Sequence, residues 1–138
     1  MRALTITQPW ATLVILGVKH WETRGWRPRG IEIGERIAIH AAKGWTRADV
    51  DFAFDLAGRD ILPLARHAEP DFDLPRGAIL GTVRFTGYRP TATAEPGVLE
   101  RELGDWSPGR WAWGLILPHE YVRPIPARGA LGLWEWTP

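Results

Sequence analysis

Gly17-Val18-Lys19-His20-Trp21-Glu22-Thr23-Arg24 leaves a short amphipathic helix and continues as an extended stretch. The fold turns on that change of period. Upstream, Ala3-Leu4-Thr5-Ile6-Thr7 is β-prone and reads as a first strand. Thr7 is placed to cap a helix over Gln8–Leu16, with Pro9 in the first turn, where a missing N–H costs nothing. Trp10, Leu13 and Val14 fall at i, i+3 and i+4, and Gly17 supplies the stop. Downstream, Gly25-Trp26-Arg27-Pro28-Arg29-Gly30 reads as a loop punctuated by Gly and Pro.

Beyond that loop, Arg36–Ala42 reads as a strand with Ile37 and Ile39 on one face. Thr46, with Asp49 three residues on, starts a second helix in which Val50, Ala53, Phe54 and Ala57 keep helical spacing up to Gly58. Residues 59–76 carry Pro63, Pro70 and Pro75 and read as a surface connection. Further strands are expected at Ala78–Phe85, Trp111–Leu117 and Leu131–Trp136, with one brief helical stretch at Val98–Leu103. Five or six strands with two main helices, not alternating regularly, predict an α+β domain. A partly closed mixed β-barrel over residues 1–138 is the economical arrangement, because closure removes free strand edges.

The 138 residues contain no Cys and a single Ser, Ser107. A disulfide, a zinc–thiolate site, a Cys nucleophile and a Gly-x-Ser-x-Gly elbow are therefore excluded. His20, His40, His67 and His119 show no metal-ligand spacing, so neither a metal nor a cofactor is expected. Met1–Thr7 lacks a long apolar region and a small-residue cleavage site, and no run is long enough to span a bilayer; a soluble, cytoplasmic protein is expected.

Net charge is +1, but it is unevenly spread. Residues 17–47 carry a net +4 and residues 48–75 a net −5. A local basic site beside an acidic flank suits a small anionic ligand or a short nucleic-acid segment. The acidic segment also leaves open a protein-interaction surface. Of seventeen cations only Lys19 and Lys43 are lysines. A lysine retained in so arginine-rich a chain points to a role a guanidinium does not fill.

Glu22 and Arg24 are two apart and share a face of an extended strand. With Lys19 they can hold an anion, or Glu22 can accept from the amino edge of a base while the cations meet phosphate. A structural salt-bridge network is the competing reading. Thr23 should face the other way, and if Glu22 faces a cleft, Trp21 should face the core. Among nine Trp, Trp10, Trp113, Trp134 and Trp136 read as packing, and Trp45 and Trp111 stay open. Trp26, between arginines in a loop, is the stacking candidate.

The segment Gly-x-Lys-x-x-Glu-x-Arg at 17–24 resembles the signature of the ASCH family, relatives of the RNA-binding PUA domains. Gln8-Pro9-Trp10, Trp26-Arg27-Pro28, Ile37–Lys43, Arg76–Gly81, Arg110–Trp113 and Pro124–Gly129 resemble that family in the same order. The resemblance implies a PUA-like pseudo-barrel with a cleft beside the first helix, and a role in binding RNA or a modified nucleotide. The signature residues Lys19, Glu22 and Arg24 are implied to line that cleft; the residues expected to bind the ligand are these three with Trp26 stacking, Arg27, Arg29 and Lys43 meeting phosphate, and His40 lining the same cleft. Some small relatives are amidohydrolases of N4-acetylcytidine, and a ribonuclease role is ascribed to another, so enzyme chemistry through Lys19 and Glu22 is the alternative. The catalytic threonine of those amidohydrolases, three residues after the lysine, is Glu22 here.

Overall fold

Parallel pairing of the first and third strands sets the architecture of the computed structural model, which describes residues 1–63 and 73–138. β1 (Arg2–Ile6) lies against β3 (Arg36–Ala41) with Thr5 opposite His40. A parallel pair needs a long crossover, and here it contains helix α1 (Trp10–Ile15) and strand β2 (Trp21–Arg24). β4 (Ala78–Pro90) runs antiparallel to β3, β5 (Trp111–Pro126) to β4, and β2 to β5. β6 (Leu133–Glu135) pairs with β1, so the single mixed sheet has the order β2-β5-β4-β3-β1-β6. It curls as a half-barrel whose ends, β2 and β6, are not hydrogen-bonded to each other. The α+β pseudo-barrel expected from the sequence is what forms.

Period-two alternation fills both faces of this sheet. Leu4, Ile6, Ile37, Ile39, Val83 and Phe85 point inward with Trp113 and with Val14 and Ile15 of α1. Each such side chain contributes roughly 1.5–3 kcal/mol on burial. Ala3, Ala38, Ile79 and Trp136 form a second cluster on the other face, with Trp134 against it. A third cluster joins α2 (Arg47–Gly58) to α3 (Val98–Glu102) through Leu56, Leu103 and Leu13.

Several boundaries differ from the sequence expectation. α1 is shorter than Gln8–Leu16, with Pro9 at its N-cap and no cap from the Thr7 side chain. Gln8 does that work instead: its Oε1 accepts from Thr12 N at 3.0 Å while its Nε2 donates to Pro75 O at 2.7 Å. In α2 the expected capping box is present, with Thr46 and Asp49 satisfying each other's backbone N–H. β4 and β5 run past the predicted ends because they pair with each other through three register shifts. At one shift Gly81 lets the chains touch, since a Cβ there would lie 2.1 Å from His119 O. The stretch 59–76 is not wholly surface, because Leu62 and Leu74 are buried in the α2 cluster; Pro70 and His67 lie outside the described residues.

Candidate functional site

β6 covers β1 only from Arg2 to Leu4, so the backbone oxygen of Thr5 has no ladder partner on that side. Arg24, at the end of the edge strand β2, takes it: Nη2 donates to Thr5 O at 2.7 Å. The same guanidinium donates to Glu22 Oε2 through Nη2 at 2.9 Å and Nε at 3.2 Å. Lys19 Nζ stands 3.7 Å from the other carboxylate oxygen and donates to Trp21 O. Lys19, Glu22 and Arg24 thus converge in one chain of charges, with Lys19 at 0% exposure and Glu22 at 8%. Taking these charges out of water is costly, and the mutual pairing offsets that cost.

A hollow of about 490 Å³ opens beside this chain, at the unjoined side of the sheet. Glu22, Thr23 and Arg24 line one wall, and Thr5, Ile6, Thr7 and Trp10 another. The segment Glu102-Leu103-Gly104-Asp105, with Arg110, closes it. Thr23 belongs to this hollow, contrary to the expectation from strand parity. β2 has a free edge, and a hollow wrapped around an edge is reached from both faces of the strand. Thr23 Oγ1 accepts from Asp105 N at 3.2 Å, which ties the closing segment down. Gly104 leaves room beneath it: a Cβ there would meet Thr23 Oγ1 at 3.3 Å and Lys19 Nζ at 3.5 Å. Asp105 accepts from the Ser107 hydroxyl at 2.6 Å and from Ser107 N at 3.1 Å, which, with Arg110 beside it, holds its carboxyl below the usual carboxylate range.

The other residues expected at the site fall into two neighbouring hollows. Trp26, Arg27 and Arg29 line one of about 640 Å³ with Arg2, Trp111 and Leu133. Trp26 is 37% exposed, sits edge-on to Trp113, and holds its carbonyl against Trp113 Nε1 at 3.4 Å. Arg27 lies over the Trp111 ring, 5.5 Å from its centre. His40 and Lys43 line the other, of about 1100 Å³, on the far side of Thr5. Lys19 lines none of the three; it lies under the central one. Trp21 does not enter the core either. It is half-buried on the outer face with Arg89 over its ring at 5.3 Å, because it pairs with Gly114 of β5 while Trp113 lies across from Glu22 on the other face.

The model of the ASCH domain matches residues 4–113 of this sequence. This chain belongs to the ASCH domain family. The crystal structure of ASCH from Zymomonas mobilis is similar at 14% identity and a TM-score of 0.57, covering 99% of this chain and 87% of that one. A tyrosine-to-phenylalanine mutant of the same Zymomonas mobilis protein is similar at 15% identity and a TM-score of 0.55, covering 99% and 89%. At those identities the likeness concerns the fold. No curated protein matches the sequence.

In this ASCH domain the residues missed from the sequence are Thr5, Trp10, Glu102, Gly104, Asp105 and Arg110. Trp10 was legible only as packing, and it does stack on Phe52 at 5.6 Å. The turn composition of Gly104-Asp105-Trp106-Ser107-Pro108-Gly109 marks a loop, but nothing local says that it folds over β2. Within the acidic flank, Asp51 pairs with Arg47, and Asp55 with Arg59, which also reaches Glu102 at 2.8 Å. Among the described residues, no group of three His, Asp or Glu side chains is placed to hold a metal. No helix of the described residues is long and apolar enough to cross a membrane.

Proposed function

We propose that this ASCH domain binds single-stranded RNA or a modified nucleotide, with one nucleoside seated in the central hollow. The observation that carries this reading is a polar, nucleoside-sized hollow set over the Lys19–Glu22–Arg24 chain and flanked by two cation-lined hollows. Glu22 accepts from the exocyclic amine of a base, and Arg110 and Arg24 offer donors to its carbonyl groups. Trp10 supplies an aromatic wall. Trp26 stacks a neighbouring base, while Arg27 and Arg29 meet phosphate. Lys19 acts through Glu22, fixing the carboxylate from below, and is a positioning residue.

A titration of short RNAs and modified nucleosides at low salt tests this. Lys19→Ala and Arg24→Ala are expected to weaken binding at least tenfold, with folding checked by circular dichroism. Unchanged binding in both variants sinks the site.

The second reading is hydrolysis of an acylated nucleoside, favoured by the Thr23 hydroxyl and the Lys19 ammonium meeting at Gly104 beside Glu22. Glu22 would take a proton from water, which attacks the acyl carbon; the C–N bond breaks and the leaving amine receives the proton. Arg24 would face the developing oxyanion. Chromatography of N4-acylcytidines incubated with the protein separates the two readings: stabilisation without product favours a reader, and product lost in Glu22→Gln favours the enzyme.

A further inference from the structure

We propose that the hollow on the far side of Thr5 is a phosphate subsite for the same RNA strand whose nucleoside occupies the central hollow. The inference rests on the nucleic-acid reading above and extends it from Lys43 to Arg76 and Arg128, which were not among the ligand-binding residues expected from the sequence. Lys43, Arg76 and Arg128 line this hollow, and no carboxylate does. Asp73, 3.6 Å from Arg76 Nε, offsets one of these charges, and Lys43 and Arg128 leave a local positive field that an anion relieves.

The hollow is also built in advance. Arg76 Nη1 donates to Lys43 O at 3.1 Å, its guanidinium lies 5.3 Å from the centre of the Trp45 ring, and Asp73 Oδ1 stands 3.6 Å from its Nε. That guanidinium is therefore ordered before any ligand arrives, which lowers the entropic cost of binding. Lys43 and Arg128 have no side-chain partner among the described residues. The backbone N–H groups of Arg128–Leu131, in the loop forming one wall, are likewise without partner among the described residues.

The floor is fixed by His40, which is buried and fully engaged. Ala127 O can only accept, so His40 Nε2 donates to it at 2.8 Å. Nδ1 then accepts from the Thr5 hydroxyl at 3.1 Å, and that hydroxyl accepts from Trp134 Nε1 at 3.1 Å. His40 holds the wall in place and is not itself the anion's partner. Gly129 lets the loop lie down on it, since a Cβ there would come 2.6 Å from His40 Cε1. Thr5 is a wall of both hollows. A strand seated in the central hollow therefore reaches the cations by crossing one residue, which a lone nucleoside does not do.

Fluorescence anisotropy of a labelled, random-sequence single-stranded RNA hexamer pool, repeated across salt concentrations, tests this. Each single-strand phosphate contact contributes about 0.7 to the slope of log affinity against log salt. The double variant Lys43→Ala/Arg128→Ala is expected to reduce that slope by about 1.4. Arg47→Ala/Arg123→Ala, which removes two exposed cations elsewhere, is expected to leave it unchanged. Tight binding with an unchanged slope in the first variant overturns the subsite and leaves the nucleoside site standing. An equal fall in both variants also overturns it, because the contacts are then diffuse. No binding of the pool to the unmodified protein overturns the single-stranded RNA reading and the subsite with it.

Discussion

Arg24 Nη2 donates to the Thr5 backbone oxygen at 2.7 Å, joining the edge strand at one end of the sheet to the strand beside the other end. The contact exists because β6 stops pairing at Leu4 and leaves that oxygen free. It also explains why the position suits an arginine. One planar fork serves two acceptors at once, Glu22 and Thr5, which a single ammonium on a flexible stem does poorly.

Arg24→Lys is therefore expected to destabilise the fold despite keeping the charge. Loss of the forked bonds to Glu22 and of the Thr5 contact should cost about 2 kcal/mol, within the range for hydrogen bonds to charged groups. Urea unfolding checks this; a midpoint equal to that of the unmodified protein contradicts the role given to the fork.

The two lysines should behave oppositely. Lys19→Ala removes a buried ammonium and leaves Glu22 with one cation, a loss on the order of 3 kcal/mol. Lys43 is exposed, and Lys43→Ala should stay within about 0.5 kcal/mol of the unmodified protein. Parallel denaturation curves for the two variants decide it, and similar losses would contradict the placement of Lys19 beneath the hollow.

Gly129→Ala is expected to cost about 2 kcal/mol, because the added methyl meets the His40 ring at 2.6 Å and Thr5 Oγ1 at 2.9 Å. Gly44→Ala, with nothing within 4 Å, serves as its control. In heteronuclear NMR the His40 ring resonances should shift only in the first variant.

Asp105 carries the pH prediction. Its folded-state pKa is lowered, so it contributes stability that is present above the ordinary value of about 3.9 and is lost as pH falls through the folded value. The Ser107 hydroxyl is the largest cause, followed by Ser107 N–H. Ser107→Ala should move the Asp105 titration upward, toward the ordinary value, in a carboxyl-carbon NMR titration. An unmoved midpoint means that the hydroxyl is not what holds it.

What was legible in the sequence follows the range of the interactions. The α2 cap was readable because Thr46 and Asp49 are three residues apart and satisfy each other. The α1 cap was not, because Gln8 is oriented by the carbonyl of Pro75, remote along the chain. Trp21 was misplaced for the same reason: its strand parity was right, but the face it shares with its β5 partner Gly114 is covered by Arg89 of β4 and not by the core.

By itself the sequence determined the period of the main elements and the shared face of Glu22 and Arg24, and it placed Lys19 within six residues of Arg24. The convergence of Lys19 with that pair was left open by its opposite strand parity and was decided by the chain leaving the helix before β2 starts at Trp21. Tertiary structure alone decided which residues share a hollow. Pairing β1 with β3 puts Thr5 beside His40, and the free edge of β2 draws in Gly104, Asp105 and Arg110. A single expected cleft thereby becomes three hollows, because walls set by strand pairing depend on partners far apart in the chain.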